Sequence, residues 1–306
     1  MEIGFAPPVS GSWATPENML RIARRAEELG YGSLWTFQRL LSPPDGNWGE
    51  IYRSVQDPMV TLGFLAAATG RIRLGVSVLN IPYVSPVVLA KQIATVDILS
   101  GGRLDVGLGN GWAAEEFAAT GADPRRRGRQ ADEAVPLLRR LLTDEVITHD
   151  GEFYQVPAMR LEPKPVQRPV PILLGGAAPA ALRRVGRLGD GWVSSSRADL
   201  TAIGDSIRAI RSAAAEAGRD PGRLRFVCRG AVRIGATGAG PRTPLTGTET
   251  QIRADFDALA AEGMTELFLD PNVDPEIGSP DADPVASLRR AEELLETFAP
   301  GAPAGV

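Results

Sequence analysis

The stretch SGGRLDVGLGNGW, residues 100–112, carries a short apolar segment into Gly107, Gly109 and Gly111, a composition that lets a backbone loop close on a phosphate. A dinucleotide fingerprint needs a third glycine where Trp112 stands, and a carboxylate about 20 residues on to hold a ribose. Asp132 has that spacing but falls in a helical pattern behind Arg125, Arg126 and Arg127, so the dinucleotide reading fails. A better anion site is Leu174-Gly175-Gly176-Ala177-Ala178-Pro179. There a strand ends in two glycines, and a helix begins with proline near its first position, so free N–H groups and the positive helix end face one point. Ser194, Ser195, Ser196 and Arg197 close the next strand and add hydroxyls and charge. A tight turn with small residues for helix packing is the open alternative.

His149 is the single histidine and Cys228 the single cysteine. Those counts exclude multi-histidine metal centres and thiolate clusters, so no metal is expected, and the settings of the two residues speak against Ser-His-Asp and Cys-His catalysis. His149, in Thr148-His149-Asp150-Gly151-Glu152, reads as a surface residue in a turn. Cys228, inside the apolar run from Leu224 to Val232, reads as a buried structural thiol.

These residues hang on alternating strand and helix patterns. Strands are expected at Glu2–Phe5, Ser33–Phe37, Ile72–Leu79, Leu104–Leu108, Pro171–Leu174, Gly191–Ser194, Leu224–Ile234 and Glu266–Leu269. The helices between them begin at recognisable caps: Thr15 before Pro16, Asp57, a start at Pro86, and the capping box Thr248-Glu249-Thr250-Gln251. Further helices are expected at Arg129–Leu142, Ala178–Leu188, Asp199–Ala217 and Pro284–Phe298, while Ser100-Gly101-Gly102 stops the helix before the fourth strand. Eight βα units in 306 residues predict an α/β fold, a closed (β/α)8 TIM barrel, with a doubly wound sheet as the alternative. The barrel takes residues 1–298 as one domain, Val146–Pro169 is an insertion outside the repeating unit, and residues 299–306 form a disordered tail. In such a barrel the chemistry sits where strands end and βα loops begin.

The charge balance, 33 basic against 37 acidic residues for a net of −4, gives no reason to expect a nucleic acid or an anionic membrane as partner. No apolar run approaches the ~20 residues of a membrane span, and Met1–Phe5 lacks the features of a signal peptide. A soluble cytoplasmic protein acting on a small molecule is expected.

Leu34-Trp35, the segment Pro82 to Gln92, Leu99 to Leu104 with Gly109-Asn110-Gly111-Trp112, and Gly189-Asp190-Gly191-Trp192 together resemble the bacterial luciferase-like superfamily. The likeness covers residues 2 to 270 and is closest to the branch that uses the deazaflavin coenzyme F-420. It implies a (β/α)8 barrel, commonly a homodimer, that binds F-420 or, as the alternative, FMN at its C-terminal mouth. The resemblance puts the cofactor phosphate on Gly175, Gly176, Ala177 and Ala178 and on the hydroxyl of Ser195. It puts the back of the ring on a third-strand bulge matching Ser77 and Val78, often held by a non-prolyl cis peptide. Gly109, Asn110 and Gly111 would flank the ring, with Glu115 as a polar contact and the insertion helping to cover the site.

Many relatives carry Asp-His at the end of the second strand, whereas this chain has Gln38 and Arg39. Glutamine cannot take a proton, and arginine stays charged near neutral pH, so histidine-assisted alcohol oxidation is disfavoured. The expected activity is hydride transfer between F-420 and a small organic substrate, with reduction of an activated C=C, imine or carbonyl favoured. Arg39 is the candidate cation for developing negative charge, Gln38 a hydrogen-bonding partner, and Glu115 or Glu116 a polar contact or proton donor. Tyr83 is either a proton donor or a packing residue. An FMN-dependent monooxygenase using reduced flavin and dioxygen is the alternative, and a non-catalytic flavin-binding barrel a second one. Loops Arg39–Val55 and Gly235–Gly247 would set substrate choice, with Trp13 and Trp48 as candidate aromatic walls.

Overall fold

The computed structural model describes residues 1–235 and 242–301. Its first strand, β1 (Glu2–Phe5), pairs in parallel with the last, β12 (Glu266–Leu269), in the register Glu2 to Glu266 through Phe5 to Leu269, and this pairing closes the sheet. Between them lie β2 (Ser33–Thr36), β3 (Arg73–Asn80), β4 (Leu104–Gly109), β7 (Ile172–Gly175), β8 (Gly191–Val193) and β9 (Arg225–Gly230), giving the ring β1-β12-β9-β8-β7-β4-β3-β2. The expected TIM barrel is present, and the doubly wound sheet is not.

Helices α1 (Pro16–Glu28), α2 (Pro58–Ala68), α3 (Pro86–Leu99), α5 (Arg127–Thr143), α6 (Pro179–Leu188), α7 (Ile203–Glu216), α8 (Glu249–Ala261) and α10 (Pro284–Thr297) cover the strands. Thr15, Asp57 and Ser85 accept hydrogen bonds from the first turns of α1, α2 and α3, and both halves of the Thr248/Gln251 capping box are made. Gly101 (φ 67°) and Gly102 (φ 83°) end α3 as expected. Arg103 then donates to Ser100 O, Ile72 O, Ala66 O and Thr69 O, tying the ends of α2 and α3 to the strands beside them.

Several expectations change. The insertion is an antiparallel hairpin, β5 (Ile147–Asp150) and β6 (Gln155–Met159), and His149 lies in β5 rather than in an exposed turn. The reason is Glu133 of α5, which meets His149 Nε2 at 2.9 Å and accepts from the Phe153 and Tyr154 amides, pulling the hairpin onto the helix. Two short helices, α4 (Ala114–Thr120) and α9 (Pro275–Gly278), interrupt loops. The long seventh-strand segment breaks after Gly230, and its remainder pairs as β10 (Arg233–Ile234) with β11 (Thr246–Gly247). Ala299 is buried, and residues 302–306 of the expected tail lie outside the described residues. So do residues 236–241 of the expected Gly235–Gly247 loop.

Because strand side chains alternate, the barrel interior fills in layers of every second residue. The lowest layer is ionic. Asp105, fully buried, accepts from Arg73 (2.7 and 2.8 Å) and Arg225 (2.7 and 3.1 Å), while Glu266 accepts from Arg225, Ser33 and the Trp35 indole. Above it Ala6, Trp35, Leu173, Val193, Val227 and Phe268 form an apolar plug, with the Trp35 and Phe268 rings stacked at 5.3 Å. Gly75 is needed there, since a Cβ would lie 2.4 Å from the Trp35 ring. Cys228 points into the outer core, where burial pushes its thiol up to about 12.

Burial opposes ionisation of Asp105, but the bonds from Arg73 and Arg225 outweigh it and hold its carboxyl below the usual carboxylate range. Asp105→Asn, which leaves two guanidinium groups undercompensated, should cost about 3 kcal/mol by urea unfolding at pH 7. Since the folded-state pKa is depressed, this contribution is complete above the ordinary aspartate pKa and is lost as pH falls through the lower folded value. The gap between wild type and variant should therefore shrink only at acid pH.

Candidate active site

At the C-terminal ends of the strands the apolar plug gives way to a cleft of about 570 Å³. Its wall is built first by the third strand. The Ser77–Val78 peptide is cis, and the register of β3 against β4 shifts between Val76 and Leu79, which turns Val78 inward over the plug. Val78 is seated among glycines: a Cβ on Gly109 would lie 2.5 Å from Val78 Cγ2, and Cβ atoms on Gly107 and Gly175 would come 3.2 and 3.3 Å from Cγ1. Gly109 thus makes room for Val78 directly, where the sequence suggested room for a ring. Gly111 has φ +70°, and the Tyr83 hydroxyl fills the space its side chain would need.

The second wall is the loop after β7. Gly175, Gly176, Ala177 and Ala178 line the cleft, Gly176 has φ +127°, and the helix α6 starts at Pro179 with no side-chain cap. The amides of Gly176, Ala177 and Ala178 have no partner among the described residues. Unpaired N–H groups at a helix start attract anions. The Trp192 indole donates to Gly176 O at 2.9 Å and sets the loop's shape. Asp190 holds the base of the same turn through Ile172 N and Arg139. Ser195 lines the cleft beside this loop, its hydroxyl accepting from Arg197 N. Arg125, Arg127 and Arg184 also line the cleft, the last held by Asp132 and Gly128 O.

The third wall carries the polar groups at the end of β2. Gln38 Oε1 accepts from the Asn80 amide (2.9 Å) and from Asn80 Nδ2 (3.1 Å). A backbone N–H donates only to oxygen, so the Gln38 amide is oriented and its Nε2 is left as the donor for a ligand. Arg39 Nη1 donates to Glu116 at 2.9 Å, and its guanidinium lies 4.7 to 5.3 Å from the rings of Trp112, Tyr52 and Trp48. Arg39 Nε is buried without a partner.

The cleft brings together Gln38, Arg39, Ser77, Val78, Gly109, Asn110, Gly111, Gly175, Gly176, Ala177, Ala178 and Ser195. It leaves out Glu115, which is exposed on the outer side of α4. Its neighbour Glu116 is buried and accepts from Leu40 N (2.7 Å) and Leu41 N (3.3 Å) as well as from Arg39, so it pins the β2 loop. Tyr83 packs edge-on against Phe117, and burial beside Glu116 pushes its hydroxyl up to about 12. It does not line the cleft and is a packing residue. Trp13 is fully buried, whereas Trp48 meets Trp112 edge-on with ring centroids 5.1 Å apart. Sequence reasoning missed Arg229. Arg225, Val227 and Arg229 share one face of β9, a period-two signal hidden by the apolar residues around them.

Fold and cleft together define a (β/α)8 barrel with an open cleft at its C-terminal mouth. The chain belongs to the luciferase-like monooxygenase family, whose profile matches residues 3–266. It is 38% identical over 170 residues to the uncharacterized protein Rv0953c of Mycobacterium tuberculosis, a match spanning 55% of this chain and 60% of that relative's length. It is 29% identical over 299 residues to the F-420-dependent glucose-6-phosphate dehydrogenase of Kineococcus radiotolerans, covering 96% of this chain and 80% of that one. The crystal structure of monooxygenase RslO1 from Streptomyces bottropensis superposes with a TM-score of 0.78 and 23% identity, over 97% of this chain and 98% of that one, a likeness of fold.

Removing the Glu116 carboxylate should loosen the β2 loop without disturbing the barrel. In Glu116→Ala, hydrogen exchange at the Leu40 and Leu41 amides should quicken by about tenfold or more, with the strand amides unchanged.

Proposed function

We propose that this protein uses coenzyme F-420 to reduce an electron-poor C=C, C=N or C=O bond in a small organic substrate. The observation that carries the reading is at the end of β2. Oxidation of an alcohol needs a group that takes a proton there, and neither residue offers one. Gln38 Oε1 is already occupied by Asn80, and Arg39 is a cation bound to Glu116.

The residues fit a flat, phosphorylated cofactor. The open amides of Gly176, Ala177 and Ala178 suit its phosphate, with Ser195 adding a hydroxyl, and Val78 on its glycine seat offers an apolar support for a ring. Arg125, Arg127 and Arg184 beside the phosphate loop favour the deazaflavin, whose side chain is longer and more acidic than that of FMN. The relative from Kineococcus radiotolerans supports the same choice.

The coenzyme supplies the hydride when bound. The chain's part is to hold the acceptor against it, exclude water from the apolar floor and meet charge as it develops. Gln38 Nε2 donates to a ring or carbonyl oxygen, and Arg39 stabilises negative charge growing on the acceptor, tempered by its bond to Glu116. With Glu115 outside the cleft and Tyr83 packed away, the balancing proton comes from water at the open mouth.

The reading also takes the protein as a homodimer. Val60 and Phe64 on α2 and Val87, Val88 and Leu99 on α3 are exposed apolar residues on adjacent helices, a face suited to burial against a second copy. Sedimentation should show a dimer that Phe64→Glu shifts towards monomer.

Titration of the apo-protein with F-420 and with FMN, followed by fluorescence, tests the cofactor. Tighter F-420 binding is expected. Preference for FMN would favour the monooxygenase reading, and binding without turnover over a panel of enones and imines would favour a non-catalytic barrel. Gly176→Val, which places a branched side chain at φ +127° and a Cβ 2.7 Å from that of Ala181, should weaken cofactor affinity by about tenfold or more with an unchanged circular dichroism spectrum.

A further inference from the structure

Arg229 is a cleft residue with a buried guanidinium nitrogen that has no partner among the described residues. It lies on the inward face of β9 and reaches past β12 and β1 to the end of β2, where its guanidinium carbon stands 4.4 Å over the ring of Phe37. It is 8% exposed, yet it lines the cleft. Its only aligned side-chain hydrogen bond among the described residues runs from Nε to Asp270 Oδ2 at 2.7 Å. Nη2 is also 2.7 Å from that oxygen but is not aligned to donate to it, and it is left without a partner. The other Asp270 oxygen is taken by Asn272, which donates to it from its backbone and from its side chain, both at 3.0 Å. Asp270 therefore cannot turn to satisfy more of the guanidinium.

A guanidinium carries five donors in a planar fork, and leaving them unmet in a buried place is costly. Phe37 covers one face of the plane, Asp270 takes one edge, and the cleft adjoins the remainder. The bare partner for that edge is an acceptor with two oxygens. Arg39, by contrast, is bound to Glu116 and enclosed by three aromatic rings at the rim.

We infer that Arg229 is a specificity-determining residue that binds a carboxylate, or a comparable two-oxygen anionic group, on the substrate. Phe37, Tyr52 and Trp112 in the same cleft suit a planar or aromatic body attached to that group. The inference deepens the functional reading above and rests on it for placing the substrate in this cleft, but it is independent of which cofactor the protein uses.

The test compares trans-cinnamate with the uncharged trans-cinnamamide, following the fluorescence of the full chain, whose Trp112 lines the cleft. Titrations are run without cofactor and with oxidised F-420. Wild type should bind cinnamate at least about tenfold more tightly than cinnamamide, as expected for a charge-assisted pair, and the preference should weaken with salt. Arg229→Met should abolish the preference while leaving F-420 affinity unchanged, and Arg229→Lys should restore part of it. Asp270→Asn, which removes the competing charge, should tighten cinnamate binding and provides a measurement even if Arg229→Met folds poorly. Equal binding of the two probes by wild type, or a preference that survives Arg229→Met, would overturn the inference. Loss of F-420 binding with the cinnamate preference intact would count against the cofactor assignment alone and support this site.

Discussion

Eight strands closed on themselves leave an interior only wide enough for side chains, so every second residue of each strand competes for one confined space. That constraint orders the whole molecule. Along β9 the inward residues are Arg225, Val227 and Arg229, which belong in turn to the ionic base, the apolar plug and the cleft. Bulk added in one layer must be removed from a neighbour. Trp35 and Phe268 fill the plug because Gly75 yields its volume, and Val78 can lean over the axis because Gly107, Gly109 and Gly175 yield theirs.

Charge obeys the same confinement. The cations along the barrel interior are matched by carboxylates from other segments of the chain: Arg73 and Arg225 with Asp105, Arg225 again with Glu266, Arg39 with Glu116, and Arg229 with Asp270. Among the described residues the base network leaves no buried side-chain nitrogen or oxygen without a partner, which suits a part that only holds strands together. The pairs at the mouth are less complete, each leaving a buried nitrogen without an acceptor. Unmet donors are tolerable where a ligand can complete them.

Much of the barrel is legible in the sequence, since strand and helix alternate with clear caps at Thr15, Asp57 and Thr248. The loop after β7 is legible too, because Gly175, Gly176 and Pro179 have backbone requirements that follow from residue type alone. What escapes depends on distant partners. Nothing local distinguishes Glu115 from Glu116, and only the approach of the β2 loop makes one buried and leaves the other in water. His149 looks like a turn residue until Glu133, sixteen positions away, draws its strand inward. Arg229 is hidden because an inward arginine is acceptable only when Asp270 stands on the neighbouring strand, a fact of register rather than of pattern.

The loop after β7 takes its shape from a residue outside itself, through the bond from the Trp192 indole to Gly176 O. The segment Gly189-Asp190-Gly191-Trp192 is thus the far half of a hinge whose near half is Gly175-Gly176. Gly191 lets β8 approach the Arg225 carbonyl closely, a Cβ there lying 2.2 Å from that oxygen, and Asp190 ties β8 to the start of β7. The two glycine-bearing segments are one mechanical joint. Grafting the loop from another barrel without its tryptophan would transplant the letters of the loop and leave behind the brace that gives them their curvature.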